Sequence, residues 1–419
     1  MKKVFIQSAT LIHTDLKTQA SVDVLIVDGK IADLGTQLTI PAGAELIDAA
    51  GCFLSPGFCD LNVNFGEPGL ETKETLESGS KAAFAGGVTA LALMPNTQPA
   101  LHSKSEIAYI KNRSVALPVN IYPVGTISEK REGLNMAELY DMSQTGAIAF
   151  SDGDRPVAEA GLMSRVLLYA KGFGGKIFSY AQDSSLAGKS PVNEGAMSTL
   201  LGLKGNPALA EELMVARDIE LAAYQDAPLH FSTISSAKSV QLIREAKAKG
   251  LKITCDVAAH HLVFTEDALA GFDSHYKVNP PLRTEADRLA LIAGLKDGTI
   301  DAIVSQHTPH EIEFKALEFG LASFGIIGLQ TLLPLALKAE LKPAEIVEKL
   351  ALNPRKILGL AIPKIAVGET ADLVLFDPKK IWNFDASANQ SQCANSPLIG
   401  QTLTGKAIWV GNKNQYFNA

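Results

Sequence analysis

The side chains able to hold a metal or move a proton fall in four stretches of the chain. They are Asp152 and Asp154 around Gly153, the lone His230, the pair His260-His261, and His307 with His310. Carboxylates and imidazoles are the donors from which zinc sites are built, and a bound ion would supply an activated water near neutral pH. Other hydrolytic chemistries have little support. There is no Gly-x-Ser-x-Gly elbow, and none of Cys52, Cys59, Cys255 or Cys393 has a histidine partner suggested by the sequence. The four cysteines form no CxxC pair and read as buried free thiols. Phe173-Gly174-Gly175 and Gly86-Gly87 lead into strands, not helix N-termini, so they read as turns rather than phosphate loops.

These residues must be positioned by βα units. From Pro228 the chain predicts a strand over Leu229–Ile234, a cap at Ser235 or Ser236, and an amphipathic helix over Ala237–Lys249. Gly250 ends the helix, and a strand follows over Leu251–Val257. Similar strands are expected over Val88–Met94, Ala147–Phe150, Lys176–Tyr180 and Ile300–Ser305. Repeated units of this kind across residues 56–355 predict a (β/α)8 barrel, with a doubly wound open sheet as the alternative. Both ends are strand-rich. Val24–Val27 and Ile31–Leu34 flank Asp28-Gly29, a strong hairpin signal. Ala371–Phe376 is expected to stop at Asp377-Pro378, and Ala407–Val410 to lead into a turn at Gly411-Asn412. Residues 1–55 and 356–419 are therefore expected to form one small β-sandwich domain. In a barrel the chemistry sits at the C-terminal ends of the strands, where the candidate residues fall.

The order and spacing of several motifs carry a resemblance. They are Pro56-Gly57-Phe58-Cys59-Asp60-Leu61-Asn62-Val63-Asn64-Phe65-Gly66-Glu67-Pro68-Gly69, Met94-Pro95-Asn96-Thr97, Phe150 through Pro156, Asn193-Glu194-Gly195, His260-His261-Leu262, Lys277 through Arg283, His307-Thr308-Pro309-His310 and Asn353-Pro354. Together they resemble the dihydroorotases, within the cyclic amidohydrolases, and most closely the bacterial type that partners aspartate transcarbamoylase. The resemblance implies a metal-dependent hydrolase barrel. It also implies which positions should carry the chemistry, and there this chain departs. The zinc-binding His-x-His of the first strand corresponds to Asn62 and Asn64, two positions that share a face. The arginine that grips the substrate carboxylate corresponds to Gly66. A metal-ligating aspartate corresponds to Gly153, two further histidines to Tyr180 and Thr233, and the aspartate that touches metal and shuttles the proton to Gln306.

Neutral amides and hydroxyls are weak zinc ligands, and a primary amide does not titrate near neutral pH. The chain is therefore expected to hold no cofactor and to be a catalytically silent relative. The resemblance implies aspartate transcarbamoylase as its partner, with self-association as a further form of assembly. The alternative is an active dihydroorotase, or a related cyclic-amide hydrolase, with zinc at an atypical site drawn from Asp152, Asp154, His307 and His310. His230 lies three residues before Thr233 and should face away from it. Asn96, Asn279, His310, Phe324 and Gly325 match substrate-binding positions, so a retained pocket for a pyrimidine precursor is a third reading. Loss of the arginine at Gly66 weakens it.

Bulk properties narrow the classes further. The 419 residues are 47% apolar and 20% charged, with a net charge of −7 and no run of like charges. Nucleic-acid and anionic-membrane partners are not expected, since both need clustered Lys and Arg. No apolar run reaches the ~18 residues of a membrane span, and the N-terminus has no signal-peptide core, so a cytoplasmic protein is expected.

Overall fold

A computed structural model describes residues 2–418. The chain opens with β1 (Lys3–Ile12), β2 (Thr18–Val27), β3 (Lys30–Gly35), β4 (Glu45–Asp48) and β5 (Phe53–Pro56). The first half of the barrel follows as β6 (Phe58–Val63), β7 (Val88–Leu93), β8 (Asn120–Gly125) and β9 (Ala149–Phe150). The second half is β10 (Phe178–Ser179), β13 (Leu229–Phe231), β14 (Ile253–Ala258) and β15 (Ala302–Val304). Between β10 and β13 lies a small excursion that pairs β11 (Val192–Asn193) with β12 (Gly205–Asn206). The chain ends with β16 (Leu373–Phe384), β17 (Gln401–Asn412) and β18 (Gln415–Asn418).

Two four-stranded parallel sheets, β6-β7-β8-β9 and β10-β13-β14-β15, form the middle of the protein. Single bridges join their edges, Phe150 to Ile177 on one side and Val63 to His307 on the other. The eight strands thus close on themselves, which decides for the barrel over the open sheet. Cys59, Leu61, Ala90, Ala92, Val124, Ala149, Phe178, Ala302 and Val304 fill the interior. The opposite faces of the strands pack on the surrounding helices through Phe58, Val88, Leu91 and Ile303. Helix starts follow local chemistry. Ser236 accepts from the Ser239 N–H at the head of Ala237–Ala248, and Thr75, Ser103 and Thr284 each close a capping box.

The termini form a sheet domain ordered β18-β17-β16-β5-β1-β2-β3, with β4 also on β1. Hydrogen bonding runs through it as one branched sheet. At Ser8, φ of 61° breaks β1 into two halves. The first half pairs with β4 and the second with β5, so the sheet divides there and encloses its own core around Ile6, Val24, Leu54 and Trp409. The Asp28-Gly29 hairpin forms as its residues require, with φ of 46° and 79°. Two turn expectations do not hold. Asp377-Pro378 does not end β16; the proline sits in an irregularity between Asp377 and Ile381, where no ladder N–H is needed. The last hairpin turns at Lys413-Asn414, both at positive φ, two residues beyond the expected Gly411-Asn412.

Candidate functional site

The C-terminal mouth of the barrel holds a pocket of about 580 Å³. The resemblance-derived positions Asn62, Asn64, Gly153, Tyr180 and Gln306 line it, together with Asn96, Asn279, Phe324 and Gly325. Thr308, Asp154 and the apolar Met94, Val278 and Ile326 complete the wall. Asn62 and Asn64 share one side, as their spacing requires. The Asn62 amide donates to Ser232 Oγ at 3.3 Å and to Thr233 Oγ1 at 3.1 Å. Thr233 therefore acts on the pocket only through Asn62. The Asn64 amide donates to Thr308 Oγ1 at 3.1 Å and to the His307 carbonyl at 3.4 Å. Gln306 Nε2 donates to the Asn279 carbonyl at 2.8 Å. The Tyr180 hydroxyl donates to Gln182 Oε1 at 3.0 Å, and burial raises its pKa well above the usual phenol range. None of Asn62, Asn64, Tyr180, Thr233 and Gln306 is an anion or an imidazole; the one carboxylate among the lining residues is Asp154.

The backbone at two of these positions is unusual. Thr233 and Gln306 have φ of 61° and 49°, the left-handed region that a β-branched threonine rarely enters. β13 accordingly ends at Phe231, short of the expected Ile234, and strand alternation does not extend from His230 to Thr233. His230 instead faces the barrel interior, bonded to Thr254 Oγ1 at 2.9 Å and Asp256 Oδ2 at 3.0 Å.

The four residues from which an atypical metal site would have to be drawn do not converge. Asp152 is buried with both oxygens engaged, by the Ile127 and Ser128 N–H groups at 2.9 Å and by Ser128 Oγ at 2.5 Å. Burial raises its pKa. Asp154 reaches the pocket wall, but its side chain is 63% exposed and paired with Arg131. The His307 ring turns away from the pocket, since its Nδ1 accepts the Gly328 N–H at 3.2 Å. That leaves the ring proton on Nε2, 3.4 Å from the buried Glu74 carboxylate. His310 Nε2 donates to the Phe324 carbonyl at 2.9 Å, so it supports the pocket wall from behind. His260 and His261 are fully buried against each other, and His261 Nε2 meets the Pro280 carbonyl at 3.1 Å. Among the described residues, no three His, Cys, Asp or Glu side chains come together in a way that could hold a metal ion. The donor set at the mouth does not fit the zinc that the resemblance implies.

Gly66 lies off the pocket, in a loop closed by Gly66 N–H to Glu74 O at 2.8 Å and Leu70 N–H to Gly66 O at 2.9 Å. Several contributors were not visible as site residues in the sequence. Arg131 reaches in from the segment after β8, donating to the Asp152 carbonyl at 2.8 Å as well as to Asp154. Lys315 and Asn395 hold the Phe324-Gly325 wall through the Gly325 carbonyl, and Lys277, which donates to the Phe319 carbonyl, lies 4.7 Å over the Phe324 ring. No local pattern marks Arg131, Lys315 or Asn395; Lys277 and Thr308 fall inside motifs that carry the resemblance, but with no role assigned by it.

The buried histidines set an acid limit. Burial holds His261 and His310 down to about 4, against an ordinary 6.5; Lys73 adds to the effect at His310, and the carbonyls they meet oppose it. Both rings are neutral in the folded state while histidines of the unfolded chain take up protons near 6.5. Their contribution to stability is present above about pH 6.5 and is lost as pH falls toward about 4. Urea unfolding across that range should show the loss. His310→Gln should make its slope shallower, and an unchanged slope would exclude His310 as a source.

Comparison with known proteins agrees with this architecture. Residues 51–239 match the family described as dihydro-orotase-like, and residues 187–408 match the amidohydrolase family. A dihydroorotase from Geotalea daltonii is 43% identical over 412 residues, covering 97% of each chain. One from Geobacter sulfurreducens is 44% identical, covering 93% of this chain and 92% of its own. The chain belongs to the dihydroorotase family. Its fold is shared more widely. The L-hydantoinase (dihydropyrimidinase) from Arthrobacter aurescens superposes with a TM-score of 0.86 at 24% identity, over 99% of this chain and 96% of its own. The family member described here thus keeps the amidohydrolase barrel while its pocket carries amides and hydroxyls at the positions discussed above.

Proposed function

We propose that this protein is a dihydroorotase homologue that works by binding rather than by hydrolysis, as a structural or regulatory partner of an aspartate transcarbamoylase. One observation carries the reading. At the mouth of the barrel Asn62, Asn64, Tyr180 and Gln306 stand where metal ligands and a proton shuttle are implied, and Gln306 spends its amide on the Asn279 carbonyl. A site of this composition has neither an activated water nor a group that titrates near neutral pH. The partner follows from the family resemblance and rests on nothing in the pocket.

A second reading is an active dihydroorotase or related cyclic-amide hydrolase. The whole-chain likeness to proteins named dihydroorotase favours it, and favours it more directly than it favours any partner role. Its zinc would need ligands from Asp152, Asp154, His307 or His310, which stand apart in the structure.

Metal analysis separates the two. Protein purified without chelator or histidine tag, and offered zinc, is expected to carry close to none. It is also expected not to interconvert dihydroorotate and carbamoyl aspartate. About one zinc per chain together with chelator-sensitive turnover would establish the second reading. The partner is tested separately by light scattering on a mixture with the cognate transcarbamoylase, where two unchanged species would remove it.

A further inference from the structure

The other end of the barrel carries a cavity that the proposed function does not use. Register places its lining. Phe178, His230 and Thr254 sit side by side on β10, β13 and β14. They face inward: Phe178 belongs to the interior cluster, its ring lies 4.4 Å from that of His230, and His230 bonds Thr254. Strand alternation puts the residues two positions earlier, Lys176, Pro228 and Lys252, on the same face, one layer nearer the N-terminal mouth. The helix Asn353–Leu358 covers this end of the barrel, with Leu358 in the interior and Lys356 and Ile357 at the cavity wall. Between them lies a cleft of about 620 Å³ that opens to solvent.

The chemistry of this lining is one-sided. Three lysines surround the cavity, and among the described residues no carboxylate lines it. Lys252 reaches Asp226 at the rim, 3.1 Å away. Among the described residues, neither Lys176 nor Lys356 has an ion-pair partner. The Lys176 ammonium is packed against Gly359, at the place where a side chain there would begin. Burial lowers its pKa, the mark of a cation without a counter-charge. Pro228 and Ile357 offer apolar wall beside the lysines, and one layer deeper Phe178 and the His230–Thr254 pair form the floor.

We infer that the N-terminal mouth of the barrel is a second ligand site, for a small organic anion in which a phosphate or carboxylate is attached to a flat ring. The anion lies between Lys176 and Lys356, and the ring enters toward Phe178 and Pro228. Lysine suits this role as a mobile point charge, accepting either anion without a fixed fork geometry. The site is separate from the pocket at the C-terminal mouth, so it stands or falls independently of whether that pocket is catalytic.

Calorimetry on the full chain at low salt tests it, with adenosine monophosphate, benzoate, adenosine and inorganic phosphate as probes. Adenosine monophosphate or benzoate is expected to bind with a Kd below about 1 mM, and whichever binds identifies the anionic group. Affinity should fall with added salt. The double variant Lys176→Gln/Lys356→Gln should weaken binding by about tenfold or more, the loss of roughly 1.4 kcal/mol. Ligand should also shield Lys176 of the unaltered protein from an amine-reactive reagent, read by peptide mass mapping. That readout holds even if the variant is unstable. Absence of binding by both anions, or binding unchanged in a folded double variant, would overturn the site. Adenosine or inorganic phosphate binding as tightly as the nucleotide would overturn the ligand class.

Discussion

Gly66→Arg, the change that would restore the implied substrate-gripping side chain, is expected to destabilise the protein severely and to create no carboxylate clamp. A Cβ on Gly66 would lie 1.7 Å from the Leu70 carbonyl oxygen and 3.1 Å from that of Glu74. Both are backbone atoms of the tight loop that Gly66 closes, so no rotamer relieves the contact. The loop cannot easily open either. Glu74 is fully buried, beside His307, and it holds Ser391 and the Gln392 N–H of the C-terminal segment. A clash that must move this backbone belongs with the large overpacking and strain effects, more than about 3 kcal/mol. Gly66→Ala should show most of the loss, since the first side-chain carbon already collides. Urea midpoints measure it. A Gly66→Arg protein as stable as its parent would mean that the loop repacks, and would reopen carboxylate binding at this position.

Arg355→Met should be the second large loss, at the junction between barrel and terminal sheet. Arg355 is 2% exposed. Its guanidinium donates to the Gly57 carbonyl at 2.5 Å, the Ala351 carbonyl at 3.0 Å and Thr89 Oγ1 at 3.1 Å. It also lies 3.4 Å from Asp372, which precedes β16. Methionine fills much of the volume but satisfies none of these groups, and it leaves Asp372 without its cation. Removing one partner of a buried pair costs about 3–5 kcal/mol. The companion change Asp372→Asn should recover part of that loss, because a neutral amide needs no counter-charge. A double-mutant cycle measures the coupling, and additive losses would show that the backbone carbonyls, not the ion pair, set the cost.

These two sites bear on what holds the barrel and its mouth in place. The barrel and its junction are intact down to buried charges, while the mouth holds a mutually bonded set of amides and hydroxyls. Asn62 with Ser232 and Thr233, Asn64 with Thr308, and Gln306 with Asn279 are tied by local hydrogen bonds. Restoring single residues would break these bonds before it built a site. At Gly153 a side chain would be strained by φ of 68°, and its Cβ would push aside Asn96 Oδ1, 1.8 Å away.

Much of the architecture was legible in the sequence because it rests on local rules. Apolar periodicity marked the βα units, Asp28-Gly29 could only turn, and the spacing of Asn62 and Asn64 put both amides on one side. Residue type alone also showed that Asn62, Asn64, Tyr180 and Gln306 are poor zinc donors, whatever their geometry. Other features depended on partners remote in sequence. Whether Asp152, Asp154, His307 and His310 could meet was decided by competing bonds from Ser128, Arg131, Gly328 and Phe324. The branching of β1 at Ser8 and the passage of β16 through Asp377-Pro378 were decided by neighbouring strands. The lysine-lined cavity arises only because barrel closure sets Lys176, Lys252 and Lys356 around one opening. A sequence fixes which groups can bond and how neighbours along the chain are spaced; which groups do bond is settled by what the fold brings within hydrogen-bonding distance.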